Sequence, residues 1–338
     1  MGEPVGGKTM TIYDIAKEAG VSASTVSRVI NGKPGIGEKT RKKIQSLLKK
    51  YNYIPNEAAR SLSTSETRLI GILLEDIRNV HHALIAYTLE QALTARGYAG
   101  IILNTGPSDS SKEKYVRLLT ARNVDGVILV GSTYQNSFMK QLIRSELSEI
   151  PVVIANGWIN LPNVYGVLVD EEKGMERCAD LLFSGGRKHI AFGLAFPTPS
   201  NINKLYGYRK SLRTHGIPDS EMIVCEDCIS QEDGARAADW ILENHPEADG
   251  ILFGEDLPAI GFIRRMAELG ISIPDQIAVT GVNNSSYCTL SHPQLTSLDN
   301  RPVEMCEEAV RVLIAVLNGE EPLHRVMLFC DIALRESV

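Results

Sequence analysis

The sequence reads as α/β: an all-α N-terminal head of helix-turn-helix type, then a larger part built on doubly wound parallel sheets. Three observations carry that reading. Helix start and stop signals crowd the first fifty residues, short apolar runs alternate with helically spaced segments from Leu69 onward, and the charge changes sign between the two parts. Continuous rather than alternating hydrophobicity is what parallel strands covered on both faces show, and repeated βα units imply doubly wound sheets.

The first helix is announced by Thr11, an N-cap with Asp14 three positions on, a capping box that satisfies two orphan backbone donors. Ile12, Ile15, Ala16 and Ala19 then share a face. Gly20 supplies the left-handed residue that ends this helix, Val21 plugs the turn, and Ser22 is a fresh N-cap for a second helix running to Asn31. A turn this short forces a steep crossing. In a helix-turn-helix the second helix enters the major groove with its N-terminal residues at base edges. Here those are Ala23, Ser24, Ser27 and Arg28, while Val26, Val29 and Ile30 point back into the core. A third helix carries Lys39, Arg41, Lys42, Lys43, Lys49 and Lys50 around a buried face of Ile44, Leu47 and Leu48. Asn56 then caps a short segment that ends at Leu62, followed by a polar stretch.

Charge agrees with a reader of duplex DNA. Residues 1–68 hold 12 Lys and Arg against 6 Asp and Glu, a net of +6, whereas the remaining 270 residues net −12. An acidic protein with a locally basic head binds phosphate backbones at that head and nowhere else.

From Leu69 the strand candidates lie at 69–74 and near Ile101, Val127, Val152, Val164, Ile190, Ile223, Ile251, Ile277 and Met327. Helical spacing fills 83–95, 113–122, 175–183, 234–242, 258–269 and 302–317.

Several function classes find no support. No apolar run approaches the roughly 18 residues that span a bilayer, and the opening residues lack the apolar core of a secretion signal. Residues 1–9 read as an extension, with Met10 a plausible start. Six scattered cysteines, mostly among apolar neighbours, fit a reducing cytoplasm. Cys225 and Cys228 form a CxxC, either redox-active or half of a zinc site, but no second pair completes it. A phosphate loop is nearly spelled at Gly32 to Thr40, yet Glu38 intrudes before Lys39 and the segment follows a helix. With no GlyxSerxGly elbow either, the expectation is a binding protein without metal or cofactor rather than an enzyme. The other class, a sugar receptor or sugar-converting enzyme, rests on fold analogy alone.

From Thr11 to Leu62 the chain closely matches the string TIxDIAxxAGVSxSTVSRVxNG…TRxxI…YxPNxxARSL, and so resembles the lactose/galactose-repressor (LacI/GalR) family. Matching strings continue with ArgAsnValAspGlyValIleLeu at 122, GlyIleProAsp at 216, IleProAspGlnIleAlaVal at 273 and GlnLeuThrSerLeu at 294. The resemblance implies a helix-turn-helix domain at 10–55, a hinge helix and linker at 56–68, and a periplasmic-binding-protein-like core at 69–338 with the chain crossing between its lobes three times. Lobe 1 is expected at 69–168 and 299–325, lobe 2 at 169–298 and 326–338. The implied DNA-binding residues are Ser22, Ala23, Ser24, Thr25, Ser27, Arg28, Asn31, Asn56, Ala59, Arg60 and Leu62, the last a minor-groove wedge; apolar packing of the linker is its alternative. The implied partners are a palindromic operator in double-stranded DNA, a small-molecule effector of sugar type, and a second copy of the chain. Dimerisation is expected through the helix after Val80 and the segment Met222 to Cys228.

Family positions carried over residue by residue give the effector cleft: Asp76, Asn79, His81 and His82; Asn156; Asp170; Lys204; Ile229; Glu255 and Asp256; and Asn283. Several depart from the family pattern. Asn156 replaces the usual Asp, Lys204 the usual Arg, Glu255 the usual Asn, and ValAsnAsn the usual aromatic-AspAsp. Lys lacks the bidentate fork of Arg. A sugar, an amino sugar or a pocket without a sugar all fit, and Lys204 with Glu255 reads either as a ligand-binding pair or as a pair that neutralises itself.

Overall fold

The computed structural model describes residues 10–30, 32–51, 53 and 66–338. They fall into two compact units, one ending at Thr67 and the other beginning at Arg68.

The first unit contains α1 (Ile12–Ala19), α2 (Ala23–Ile30) and α3 (Glu38–Lys50). The Thr11 hydroxyl accepts the Asp14 N–H at 3.3 Å, and the Asp14 carboxylate accepts the Thr11 N–H at 2.9 Å, closing the capping box. Gly20 ends α1 at φ 72°, where a Cβ would be strained. Ser22 Oγ accepts the Thr25 N–H at 3.2 Å and so caps α2. Ile15, Val26 and Ile44, one from each helix, are fully buried against one another. Two of the basic residues on α3 serve this packing. Lys43 donates to the Ala19 carbonyl at the end of α1, 2.9 Å away, where the helix dipole favours a cation, and Lys50 pairs with Glu18 at 3.1 Å.

The second unit holds two six-stranded sheets, each the centre of a lobe. The first is made of β1 (Leu69–Leu74), β2 (Ala99–Asn104), β3 (Gly126–Val130), β4 (Val152–Ala155), β5 (Val164–Val169) and β11 (Arg325–Leu328). Its order is β11-β5-β4-β3-β1-β2, parallel throughout. The second is made of β6 (Ile190–Gly193), β7 (Ile223–Cys225), β8 (Gly250–Phe253), β9 (Ala278–Val282), β10 (Thr296–Asp299) and β12 (Asp331–Ala333). Its order is β12-β10-β9-β8-β6-β7, parallel except for the antiparallel β10–β12 pair. Helices α4 (Val80–Thr94), α5 (Asp109–Ala121), α6 (Ser137–Glu146) and α11 (Pro302–Leu317) belong to the first lobe. Helices α7 (Glu171–Ser184), α8 (Pro199–Thr214), α9 (Gln231–Asn244) and α10 (Asp256–Glu268) belong to the second. Strands β3, β4, β8 and β9 are buried along their whole length, as two-sided coverage requires.

The topology places the crevice. In the first sheet β1 lies between β2 and β3, and in the second β6 lies between β7 and β8, so strand order reverses beside β1 and β6. Ligands of open α/β sheets sit outside the carboxyl ends of strands at such reversals. Those ends carry Glu75 to His82 and Ser132 in the first lobe, and Ser200, Gly254 and Glu255 in the second.

The lobe boundaries differ from the expected ones. Val169 still pairs with Leu328 in the first sheet, and Asp299 with Asp331 in the second. Residues 326–328, expected to open the second lobe's final segment, instead join Arg325 at the edge of the first sheet. The reason lies in their neighbours: Arg325 stacks over Trp158 at 4.6 Å, and His324 stacks on Tyr165 while its ring nitrogen meets the Val164 carbonyl at 2.9 Å. The crossings therefore lie at 169–171, 299–302 and 328–331. The core begins at Arg68, whose N–H is held by Asp125 at 2.7 Å and whose carbonyl accepts from Ala99. Helices α6 and α8 and strands β10 and β12 go beyond the elements that sequence spacing names.

Candidate functional site

On the head, Ser22, Ser24 and Arg28 are exposed, and Ala23, Thr25 and Ser27 are half-buried. The Ser22 hydroxyl lies 2.8 Å from that of Ser24 and 2.9 Å from that of Thr25. The start of α2 thus offers short hydroxyls and a nearby guanidinium, groups that reach base edges and phosphates. Asn31, Asn56, Ala59, Arg60 and Leu62 lie outside the described residues.

In the core, α8 is pressed onto α7 because Gly207 has no Cβ, the space that one would need being filled by the Glu172 carbonyl. That approach brings Lys204, which is 4% exposed, to Glu171, which is 2% exposed. Lys204 Nζ donates to Asn201 Oδ1 at 3.0 Å and the Gly254 carbonyl at 3.1 Å, and stands 3.6 Å from Glu171 Oε1. The same Glu171 oxygen accepts from the Ser200 hydroxyl at 2.7 Å and from the Asn156 and Asn300 amides, each at 3.2 Å. Asn156 follows β4 in the first lobe at φ 63°, a left-handed conformation that Asn tolerates. Ser200 and Lys204 belong to the second lobe, and Asn300 to a crossing. Asn283 joins the network by accepting from Asn300 at 3.2 Å. Ser200 also donates its backbone N–H to Ser132 Oγ of the first lobe at 3.0 Å.

The remaining cleft candidates divide by what already holds them. Asp76 grips Arg78 through both oxygens, and this guanidinium lowers its carboxyl to about 2. Asn79 caps α4 by accepting the His81 N–H at 2.9 Å. Burial lowers the His81 imidazole to about 3, aided by His82 and by Lys204 of the other lobe. His82 Nδ1 lies 3.0 Å from the Asp76 carbonyl. Asp170 caps α7 through the Lys173 N–H, and the Ile229 N–H is held by Asp233. Glu255 stands at the N-cap of α10 without capping it, and burial raises its carboxyl, partly offset by Lys204 and by His82 of the first lobe. Asp256 is buried, and its oxygens accept the Ser285 N–H and the Ser297 hydroxyl, both at 2.7 Å.

Residues 11–56 match the family described as bacterial regulatory proteins, lacI family, and residues 179–338 match the periplasmic binding protein-like domain. The chain is 33% identical over 332 residues to an HTH-type transcriptional regulator of Lachnoclostridium phytofermentans, covering 97% of this chain and 99% of that relative. The chain belongs to the LacI family.

As a LacI-family member it is a DNA-binding transcriptional regulator with a helix-turn-helix head and a two-lobed α/β core. Its fold matches the Lac repressor dimer bound to operator and the anti-inducer ONPF, with a TM-score of 0.86, 22% identity and coverage of 98% and 99% of the two chains. It also matches the transcriptional regulator CelR–cellobiose complex, with a TM-score of 0.71, 24% identity and coverage of 97% and 100%.

Within this LacI-family core the structure gathers Asn156, Lys204 and Asn283 into one network and places Glu255 beside it. It turns Asp256 into the second lobe, where Ser285 and Ser297 engage both oxygens. The centre of the network, Glu171, is a residue that sequence reasoning missed, as are Ser200, Asn201 and Asn300. A signal existed: each of two crossings carries a polar pair, Asp170 with Glu171 and Asp299 with Asn300. The alternative pairing of Lys204 with Glu255 does not form, because Lys204 bonds to Glu171, Asn201 and the Gly254 carbonyl instead. Cys225 and Cys228 are free, buried thiols pushed up to about 12 by burial, the setting of a structural thiol. Among the described residues no three His, Cys, Asp or Glu side chains gather as a metal site, and no helix is long and apolar enough to cross a membrane.

Proposed function

We propose that the chain is a cytoplasmic repressor, not an enzyme, that binds a palindromic operator as a homodimer and is controlled by a small sugar-like effector in the cleft between its lobes. The observation that carries the effector reading is the polar network on Glu171, which draws donors from the first lobe, the second lobe and a crossing onto one carboxylate oxygen. A small molecule with several hydroxyls competes for or extends such a network, and so shifts the balance between lobe arrangements. In the dimer that shift couples the cleft to DNA affinity. The cellobiose named for one relative supports a sugar-like ligand.

The test is a fluorescence-anisotropy titration of the full chain on palindromic operators drawn from DNA flanking its own gene, repeated with a panel of sugars. Salt-sensitive, sequence-selective binding that one of the sugars weakens is the expected result. Binding strengthened by the sugar would reverse the sign of regulation, and binding indifferent to every sugar would overturn the effector assignment.

A further inference from the structure

We infer that the cleft ligand carries a protonated amine on a hydroxylated frame, as an amino sugar does, and that Glu255 receives the ammonium. This rests on the cleft being the effector site. The argument is a count of which groups there still have bonding capacity.

An ammonium has three N–H donors. Lys204 donates to Asn201 Oδ1 and the Gly254 carbonyl, and its charge is paired with Glu171 Oε1 at 3.6 Å, so its ammonium is already engaged within the second lobe. Asp76 is occupied by Arg78, and Asp256 by Ser285 and Ser297. The carboxylates are not all satisfied. Glu171 is 2% exposed and takes its donors on Oε1, while Oε2 makes no hydrogen bond among the described residues. Glu255, one residue beyond the carbonyl that Lys204 grips, makes neither a hydrogen bond nor an ion pair among the described residues, and it does not cap its own helix. The Lys204 ammonium is thus paired with Glu171, and Glu255 is left without a partner among the described residues.

On the opposing wall the Arg78 guanidinium is already held by Asp76. Glu75, at the end of β1 in the first lobe, is a second acid whose charge acts on Glu255, and His81 is held neutral by burial. His82 faces Glu255 from the same wall, and Asp256 adjoins it on α10. A neutral sugar would leave Glu255 with excess negative charge in a half-buried site, which is costly. A ligand ammonium would supply a charge-assisted bond there, and would ease the repulsion between Glu255 and Glu75.

The test is calorimetry on the full chain with matched probes: glucosamine against glucose and N-acetylglucosamine, and galactosamine against galactose. At neutral pH one of the amines should bind at least about tenfold tighter than its neutral partners, the equivalent of one charge-assisted bond. The Glu255→Gln variant should bring amine and neutral affinities together, and Glu75→Gln should narrow the gap. Neutral sugars binding as well as the amines, with no change in Glu255→Gln, would overturn the amine inference and leave the effector cleft standing. Absence of binding by every amine overturns it too; if no neutral sugar binds either, the effector cleft falls with it.

Discussion

Ser200 of the second lobe donates its backbone N–H to the Ser132 hydroxyl of the first at 3.0 Å. Ser132 sits on a short 3-10 turn after β3, and Ser200 in the first turn of α8, where backbone N–H groups lack partners within the helix. The bond therefore satisfies an orphan donor of one lobe with a side chain of the other.

Removing that acceptor in Ser132→Ala should destabilise this contact between the lobes by about 1 kcal/mol, the net worth of one such bond. Small-angle scattering should show a slightly larger radius of gyration for the variant core. An unchanged radius and an unchanged urea midpoint would mean that the contact contributes nothing in solution.

Glu171→Ala should be far more severe, because it strands the Lys204 ammonium and two amides in a buried site. Breaking a buried charge pair from one side typically costs about 3–5 kcal/mol. Urea denaturation of the core checks this, and a loss under about 1 kcal/mol would show that water replaces the carboxylate easily.

Asp256→Ala should act on stability, not on the choice of effector. Both oxygens hold partners inside the second lobe, and leaving two donors unsatisfied costs about 2–4 kcal/mol. Ligand preference across a sugar panel should keep its rank order in the variant. A changed order would place the side chain in the ligand's reach.

His81 should make the core acid-sensitive. Its folded value of about 3 lies below the ordinary 6.5, so the unfolded chain takes up the proton first as pH falls. This contribution is fully present above about pH 6.5 and is lost as pH falls toward 3, by no more than about 1.4 kcal/mol per pH unit. Glu255 and Asp256, both raised by burial, act oppositely: they favour the folded state as they become protonated. Urea midpoints between pH 7 and 5 should therefore fall less steeply in His81→Gln than in the natural chain.

On the head, exchanging Ala23 and Ser24 together should change which operator is preferred more than it changes nonspecific affinity, since base contacts specify and phosphate contacts position. Selection from a randomised operator library reads this directly. An unchanged consensus would assign sequence reading to other residues.

What was legible in the sequence was local. Thr11 marks a helix start with Asp14 three residues on, Gly20 and Ser22 mark an end and a start two residues apart, and the apolar runs of β1, β3 and β4 announce buried strands. Strand β10, ThrSerLeuAsp, has one strongly apolar residue and is set by its pairing with β9 and β12. The fate of Asp256 depends on Ser285 and Ser297, which are 29 and 41 positions away. Glu171 and Asn300 meet across 129 positions. No spacing rule reaches that far, so side chains carried over by resemblance arrive with the right address and an unknown orientation.

The segment from β11 to β12 completes the first sheet beside Val167 and then the second beside Leu298. Neither lobe is therefore a contiguous stretch of gene. A single recombination between two related genes anywhere from β2 to β10 would give each chain a first lobe assembled from both parents. The halves of the cleft cannot be traded as modules by such an event.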